Sequence, residues 1–247
     1  MSTGNWSLYT TQFSSLPQYA YYNPLIPSSV LESELNLLEL IEQDGPFDGV
    51  LGYSAGAAFA AQVMIRHALI DPTGTPLFRF AVFINGGTPL KVFKLADENV
   101  TETNIVADEL NREIKSIYLR PSNLRVRKAD DSNENHRETA EAAIASRKRE
   151  IDAVKMGQLA DGRIFLHDGQ LGVARYEGNT EGRLIDVPTL HVRCPGEEDP
   201  NLGLNILGVC LEDLTREYFH QFGHDFPRGQ EEMRKISEAI REISELA

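Results

Sequence analysis

Residues 45–61 read GPFDGVLGYSAGAAFAA, and the fold turns on how that stretch is read. At its centre, Gly52-Tyr53-Ser54-Ala55-Gly56 has the form G-x-S-x-G. The apolar, glycine-bearing run Phe47 to Tyr53 suits a buried parallel strand. The alanine-rich run from Ala55 to about Ala68 suits a helix lying close on a sheet. Strand, sharp turn and helix make G-x-S-x-G a nucleophile elbow, with the serine held in an unfavourable backbone conformation and glycines where a side chain would clash. Such a turn holds a hydroxyl clear of the sheet. It also aims the N–H groups and positive dipole end of the helix at whatever oxyanion develops there.

Working outward, Phe78 to Asn85 (FRFAVFIN) reads as a second buried strand closed by Gly86-Gly87. Strand, helix and strand over about 40 residues form a βαβ crossover with parallel strands. Upstream, Tyr19, Tyr21, Tyr22, Pro24 and Pro27 punctuate an irregular aromatic segment. A helix then runs from Val30 to Glu42, with Leu31, Leu35, Leu38 and Ile41 on its apolar face and Glu32, Glu34 and Glu39 elsewhere. Downstream, from about residue 91 to 175, charge density rises. The runs Glu98–Tyr118 and Glu134–Lys155 read as helices flanking a polar linker, and the whole is taken as a helical insertion over the sheet. The sheet pattern returns at Val187–Arg193, followed by the loop PGEEDPN and a helix over Leu204–Asp213. A short strand at Glu217–Phe222, a loop at Gly223–Arg228 and an amphipathic helix over Gln230–Leu246 close the chain. No repeat period is present. The expected fold is α/β: one α/β-hydrolase-type domain over residues 1–247, its mostly parallel sheet flanked by helices.

A chain of 247 residues carries enough material for one substantial core. Its formal charge of −13 argues against nucleic acid or an anionic membrane as partner. Two cysteines, Cys194 and Cys210, make no disulfide framework and read as small packed residues. The N-terminus lacks the apolar and basic regions of a secretory signal, and no run reaches transmembrane length. A soluble, cytoplasmic protein is expected.

A serine hydroxyl needs a base to become nucleophilic at neutral pH, and the base needs an orienting carboxylate. On α/β-hydrolase sheets these follow the serine in the order acid then histidine, on loops after late strands. Here Ser54 is followed by Asp199, after VPTLHVR, and by His224, after EYFHQF. Glu197 and Glu198 share the loop of Asp199 and stay open as alternatives, whereas Asp225 adjoins His224 too closely to reach its ring. His67 falls on the elbow helix, His136 in the polar insertion, and His191 and His220 in strands. His167 lies in a loop but precedes the late strands. His220 and His224 are four residues apart, a metal-like spacing on a helix, but EYFHQFGHDFP does not read as one. No metal and no cofactor are expected.

The stretches GPFDGVLGYSAGAA, FAVFINGG, VPTLHVRCPGEEDP and FGHDFPR closely resemble the fungal serine hydrolase (FSH) family, α/β-hydrolases that include acyl-releasing thioesterases of polyketide pathways. The resemblance runs from about Tyr19 to the C-terminus. It implies Ser54 as nucleophile, Asp199 as the acid of a G-x-x-D element and His224 as the base of a GHDxP element. The implied substrate is a small-molecule ester or acyl thioester, or an acyl chain on a carrier protein. The Ala55 N–H is assigned to the oxyanion, and Tyr21, Tyr22, Tyr53, Gly86 and Gly87 to the acyl pocket. Family members start with a strand ending in a Leu-His-Gly-type motif, a helix and a second strand ahead of the aromatic segment. This chain starts just before that segment. The resemblance therefore implies a hydrolase lacking its first βαβ unit, through truncation or a misplaced start, and with it a second oxyanion donor. The alternative function is that of a catalytically impaired homologue acting as a non-enzymatic binding protein.

Overall fold

The computed structural model describes residues 21–101, 155–195 and 203–247. Two compact units emerge. One takes in residues 34–91 and 175–247, and the other includes residues 21–33, 92–101 and 155–174 of those described.

The unit of residues 34–91 and 175–247 is built on the stretch with the elbow. Strand β1 (Gly49–Tyr53) leads through the turn into helix α2 (Ala55–Ile70) and on to β2 (Phe80–Ile84). With β8 (Thr189–Arg193) and β9 (Thr215–Phe219) they form a four-stranded sheet of order β1-β2-β8-β9, every pair parallel. Parallel strands need both faces covered, and β2 shows how this is met. Ala81 and Phe83 pack with Ala57, Ala60, Ala61, Met64 and Ile65 of α2. The alternate residues Val82 and Ile84 pack with Leu190, Val192 and the buried Ile236 and Ile243 of the closing helix α5 (Gln230–Glu245). This is the period-two alternation of a strand buried on both sides. Helix α4 (Leu204–Val209) adds Ile206 and Val209 to the α2 face. Short helix α3 (Gly178–Glu181) precedes β8. Among the described residues β1 pairs with β2 alone, and its Leu51 is half exposed.

Helix α1 (Pro27–Asp44) extends the expected helix by a few residues at each end. Its buried side keeps Ile41 of the expected apolar face but otherwise departs from it. Val30, Glu34 and Ile41 are buried and Leu37 packs on the core, while Leu35 is half exposed. The stripe is rotated by one residue because the Glu34 carboxylate accepts from Gln62 Nε2 at 3.1 Å and pairs with Arg66 of α2.

The remaining strands form an antiparallel-type sheet of order β3-β7-β6-β5-β4: β3 (Leu90–Lys94), β4 (Val100–Thr101), β5 (Lys155–Leu159), β6 (Ile164–His167) and β7 (Leu171–Arg175). Its core is Phe93, Leu159, Phe165 and Ala174. This corrects the helical reading of the insertion for its described residues. Lys155–Leu159 and Ile164–His167 pair antiparallel across the turn at Asp161–Gly162, a hairpin that the high charge density of the insertion obscured. The rest of the helical runs and the polar linker lie outside the described residues. His167 ends β6 rather than sitting in a loop. Among the described residues no helix is long and apolar enough to cross a membrane.

Candidate active site

The elbow forms for a steric reason. Ser54 sits at φ 54°, ψ −118°, a conformation that L-residues rarely adopt. It is over-determined from three sides. Its N–H donates to the Ile84 carbonyl at 2.9 Å, tying it to β2. Its carbonyl accepts from Ala57 and Ala58 in the first turn of α2 and from Gly87 at 3.1 Å. Behind it, a Cβ on Gly52 would lie 2.5 Å from Ala57 Cα and 2.7 Å from the Gly56 carbonyl oxygen, so only glycine lets helix and strand come this close. Ala55 opens the helix, where N–H groups have no acceptor within the helix itself.

The fold brings His224 to this serine. From a chain separation of 170 residues, His224 Nε2 stands 2.8 Å from Ser54 Oγ, both side chains half-buried. Tyr53 packs against the imidazole, and Phe226 packs against Tyr53. The Tyr53 ring lies 5.7 Å from the His224 ring and meets Phe226 edge-on at 5.7 Å. The Tyr53 hydroxyl donates to the His224 carbonyl at 2.5 Å. Phe226 was not singled out by sequence, although an aromatic directly after a GHD step is a visible signal.

The other expected site residues divide. Asp199, with Glu197, Glu198 and Gly196, lies outside the described residues, as does His136. Tyr21 and Tyr22 fall in the other unit. Gly87 adjoins Ser54 through backbone, and Gly86 precedes it. The Gly87 N–H is committed to the Ser54 carbonyl, and a Cβ on Gly86 would press within 2.4 Å of Ile206. Both glycines are buried, which makes them a packed floor under the elbow.

The competing histidines are accounted for by burial and partners. His191 lies inside β8 against Phe83, and burial, helped by Arg193, pushes it down to about 3, so it stays neutral and sealed. His220 follows β9 rather than lying within it, and its Nε2 meets Asn85 Oδ1 at 3.0 Å. His220 and His224 therefore point their Nε2 atoms at different partners. Among the described residues no group of three or more His, Cys, Asp or Glu side chains could hold a metal ion. Burial pushes the Cys210 thiol up to about 12, and it donates to the Ile206 carbonyl as an inert core residue.

Comparison with known proteins gives the same direction. The model of the family described as serine hydrolase (FSH1) matches residues 27–236. The hydrolase FUB4 of Fusarium oxysporum f. sp. lycopersici is 26% identical over 230 residues, covering 92% of this chain and 77% of that protein. The esterase alnB of Emericella nidulans is 25% identical over 230 residues, covering 91% and 76%. The serine hydrolase cnsH of Penicillium expansum is 27% identical over 226 residues, covering 88% and 86%.

Proposed function

The chain belongs to the serine hydrolase (FSH1) family of α/β-hydrolases, and on that basis we propose that it cleaves an acyl ester or thioester with Ser54 as the nucleophile. The observation that carries this reading is the 2.8 Å approach of His224 Nε2 to the hydroxyl of a strained elbow serine. A neutral imidazole at that distance can accept the Oγ proton as the oxygen attacks the acyl carbon. The oxyanion that forms is met by the Ala55 N–H and the positive end of α2. The imidazolium then protonates the departing alkoxide or thiolate, leaving an acyl-enzyme on Ser54. Water, deprotonated by the same imidazole, attacks that ester and releases the acid. Asp199 is assigned to the remaining ring nitrogen of His224, where a carboxylate fixes the tautomer and stabilises the imidazolium.

Two substrate features follow as proposals. Tyr53 lies against the base with Phe226 packed behind it, and this aromatic surface favours an acyl group with an apolar body over a charged one. The strong negative charge repels free anionic acids, which suits release of the hydrolysed product. An acyl thioester, including one carried on a protein as in polyketide assembly, meets both features.

The test is hydrolysis of paired p-nitrophenyl esters and N-acetylcysteamine thioesters of the same acyl groups. Wild type should turn over both, with the rate rising through a single ionisation. Ser54→Ala and His224→Ala should each fall by a factor of about 10⁴ or more. Activity that survives both substitutions contradicts the assignment, and turnover of esters without thioesters confines the substrate to esters.

A further inference from the structure

His224 sits on a loop, and loops do not hold a base to a fraction of an ångström unless something fixes them. The hydrogen bonds around it converge on a residue outside the triad. Asn85, directly after β2, is 1% exposed, and its side-chain amide reaches across 138 residues of chain. Its Nδ2 donates to the Gly223 carbonyl at 3.2 Å and to the Asp225 carbonyl at 3.1 Å. Between those two lies the His224 carbonyl, which takes the Tyr53 hydroxyl. Three successive carbonyls around the base are thus pinned, two by Asn85 and one by Tyr53.

The chemistry of the contacts fixes every orientation. Carbonyl oxygens only accept, so Nδ2 must face Gly223 and Asp225, which turns Oδ1 toward His220. His220 must then donate from Nε2, at 3.0 Å, leaving Nδ1 to accept the Phe222 N–H at 3.1 Å. That is the neutral imidazole, and burial lowers the His220 pKa in keeping with it, against a smaller opposing pull from Glu232. Asn85 also adopts φ 45°, a left-handed conformation that asparagine tolerates better than most side chains. Glycine would accept the backbone but supply no donor. Aspartate would supply no donor, and serine too few. The position asks for two donors, one acceptor and a positive φ together.

Its place in the sheet gives the clamp a purpose. The residue before it, Ile84, accepts the Ser54 N–H. One end of β2 therefore holds the nucleophile through Ile84 and the base loop through Asn85. Resting on the reading of Ser54 and His224 as nucleophile and base, we infer that Asn85 is a positioning residue that sets the Ser54–His224 distance, with His220 orienting its amide and Tyr53 holding the third carbonyl.

Steady-state hydrolysis of p-nitrophenyl acetate tests this, with folding followed by near-UV circular dichroism. Asn85→Asp keeps the shape but turns a carboxylate oxygen on the two carbonyls, and kcat should fall on the order of a hundredfold with KM nearly unchanged. His220→Gln, which can still donate to Oδ1, should keep most of the wild-type kcat, while His220→Phe should lose as much as Asn85→Asp. Tyr53→Phe removes one partly exposed hydroxyl without disturbing the core and should lower kcat about tenfold. A folded Asn85→Asp with wild-type kcat, or a loss confined to KM, overturns the clamp. If Asn85→Asp does not fold, the His220 pair and Tyr53→Phe decide: equal losses in both His220 variants, or full activity in Tyr53→Phe, overturn it. Ser54→Ala runs alongside, and ester turnover that survives it overturns the reading on which the clamp rests.

Discussion

Ser54 and Gly52 show how one residue's allowed conformations settle a site. The strain at Ser54 persists because strand, helix and the Gly87 N–H all hold it, and the hydroxyl gains its reach toward His224 from that conformation. Gly52 is required for a different reason, since a methyl there would overlap the backbone of Ala57 and Gly56, which cannot move aside without unseating α2. Gly52→Ala should therefore destabilise the protein by about 3 kcal/mol, the upper range for overpacking, and lose ester hydrolysis beyond that expected from unfolding. Denaturant unfolding beside kcat measured on the folded fraction checks this, and wild-type values for both would refute it. The G-x-S-x-G pattern made both residues legible because their constraints are local. Asn85 was not legible. It read as the last residue of a strand, and only the loop it clamps, far along the chain, reveals what its amide does.

Helix α1 shows where periodicity stops being enough. The leucines at 31, 35 and 38 mark an apolar stripe, but a residue that brings its own partners can outbid them for the buried side. Glu34 does so, with Gln62 and Arg66 taking both carboxylate oxygens and Gln62 Oε1 in turn accepting the Leu90 N–H. Burial pushes the Glu34 carboxyl up to about 7, with Arg66 and Gln62 pulling against it. A carboxyl raised in the folded state gives stability that is complete below the ordinary range near 4.5 and is lost as pH rises through about 7. Between pH 5 and pH 8 the wild type should therefore lose about 2 kcal/mol that Glu34→Gln does not lose. Urea unfolding of both proteins at the two pH values measures the difference. Parallel profiles would mean that the carboxylate is ionised throughout and that its pairing with Arg66 offsets burial. The strands of the insertion were hidden for a related reason. Phe165 and Leu166 are adjacent and Val173 sits between Gly172 and Ala174, so the runs are short and show no period-two alternation, and cross-strand pairing is what marks them as strands.

At the scale of the molecule, the parallel sheet was within reach of the sequence, and its strand order comes from the structure. β1, β2 and β8 each carry a short apolar run, and both faces of β2 are buried by residues that alternate in sequence. Family membership and this sheet make the fold that of an α/β-hydrolase. The meeting of Ser54 and His224 was legible for the same reason: a parallel sheet gathers loops at the C-terminal ends of its strands, and Ser54 and His224 follow β1 and β9. What the sequence lacked was any local mark of the hydrogen bonds that hold those ends in register. On the proposed reading, this geometry singles out Ser54 among the described serines as an activated nucleophile. The most direct test of that reading is the intact mass of the protein after reaction with a fluorophosphonate, which needs an activated hydroxyl and displaceable fluoride. The account predicts a single adduct on the wild type that peptide mapping assigns to Ser54, slowed strongly in His224→Ala and absent in Ser54→Ala. An adduct that persists in Ser54→Ala, or a wild type that stays unlabelled, would contradict it.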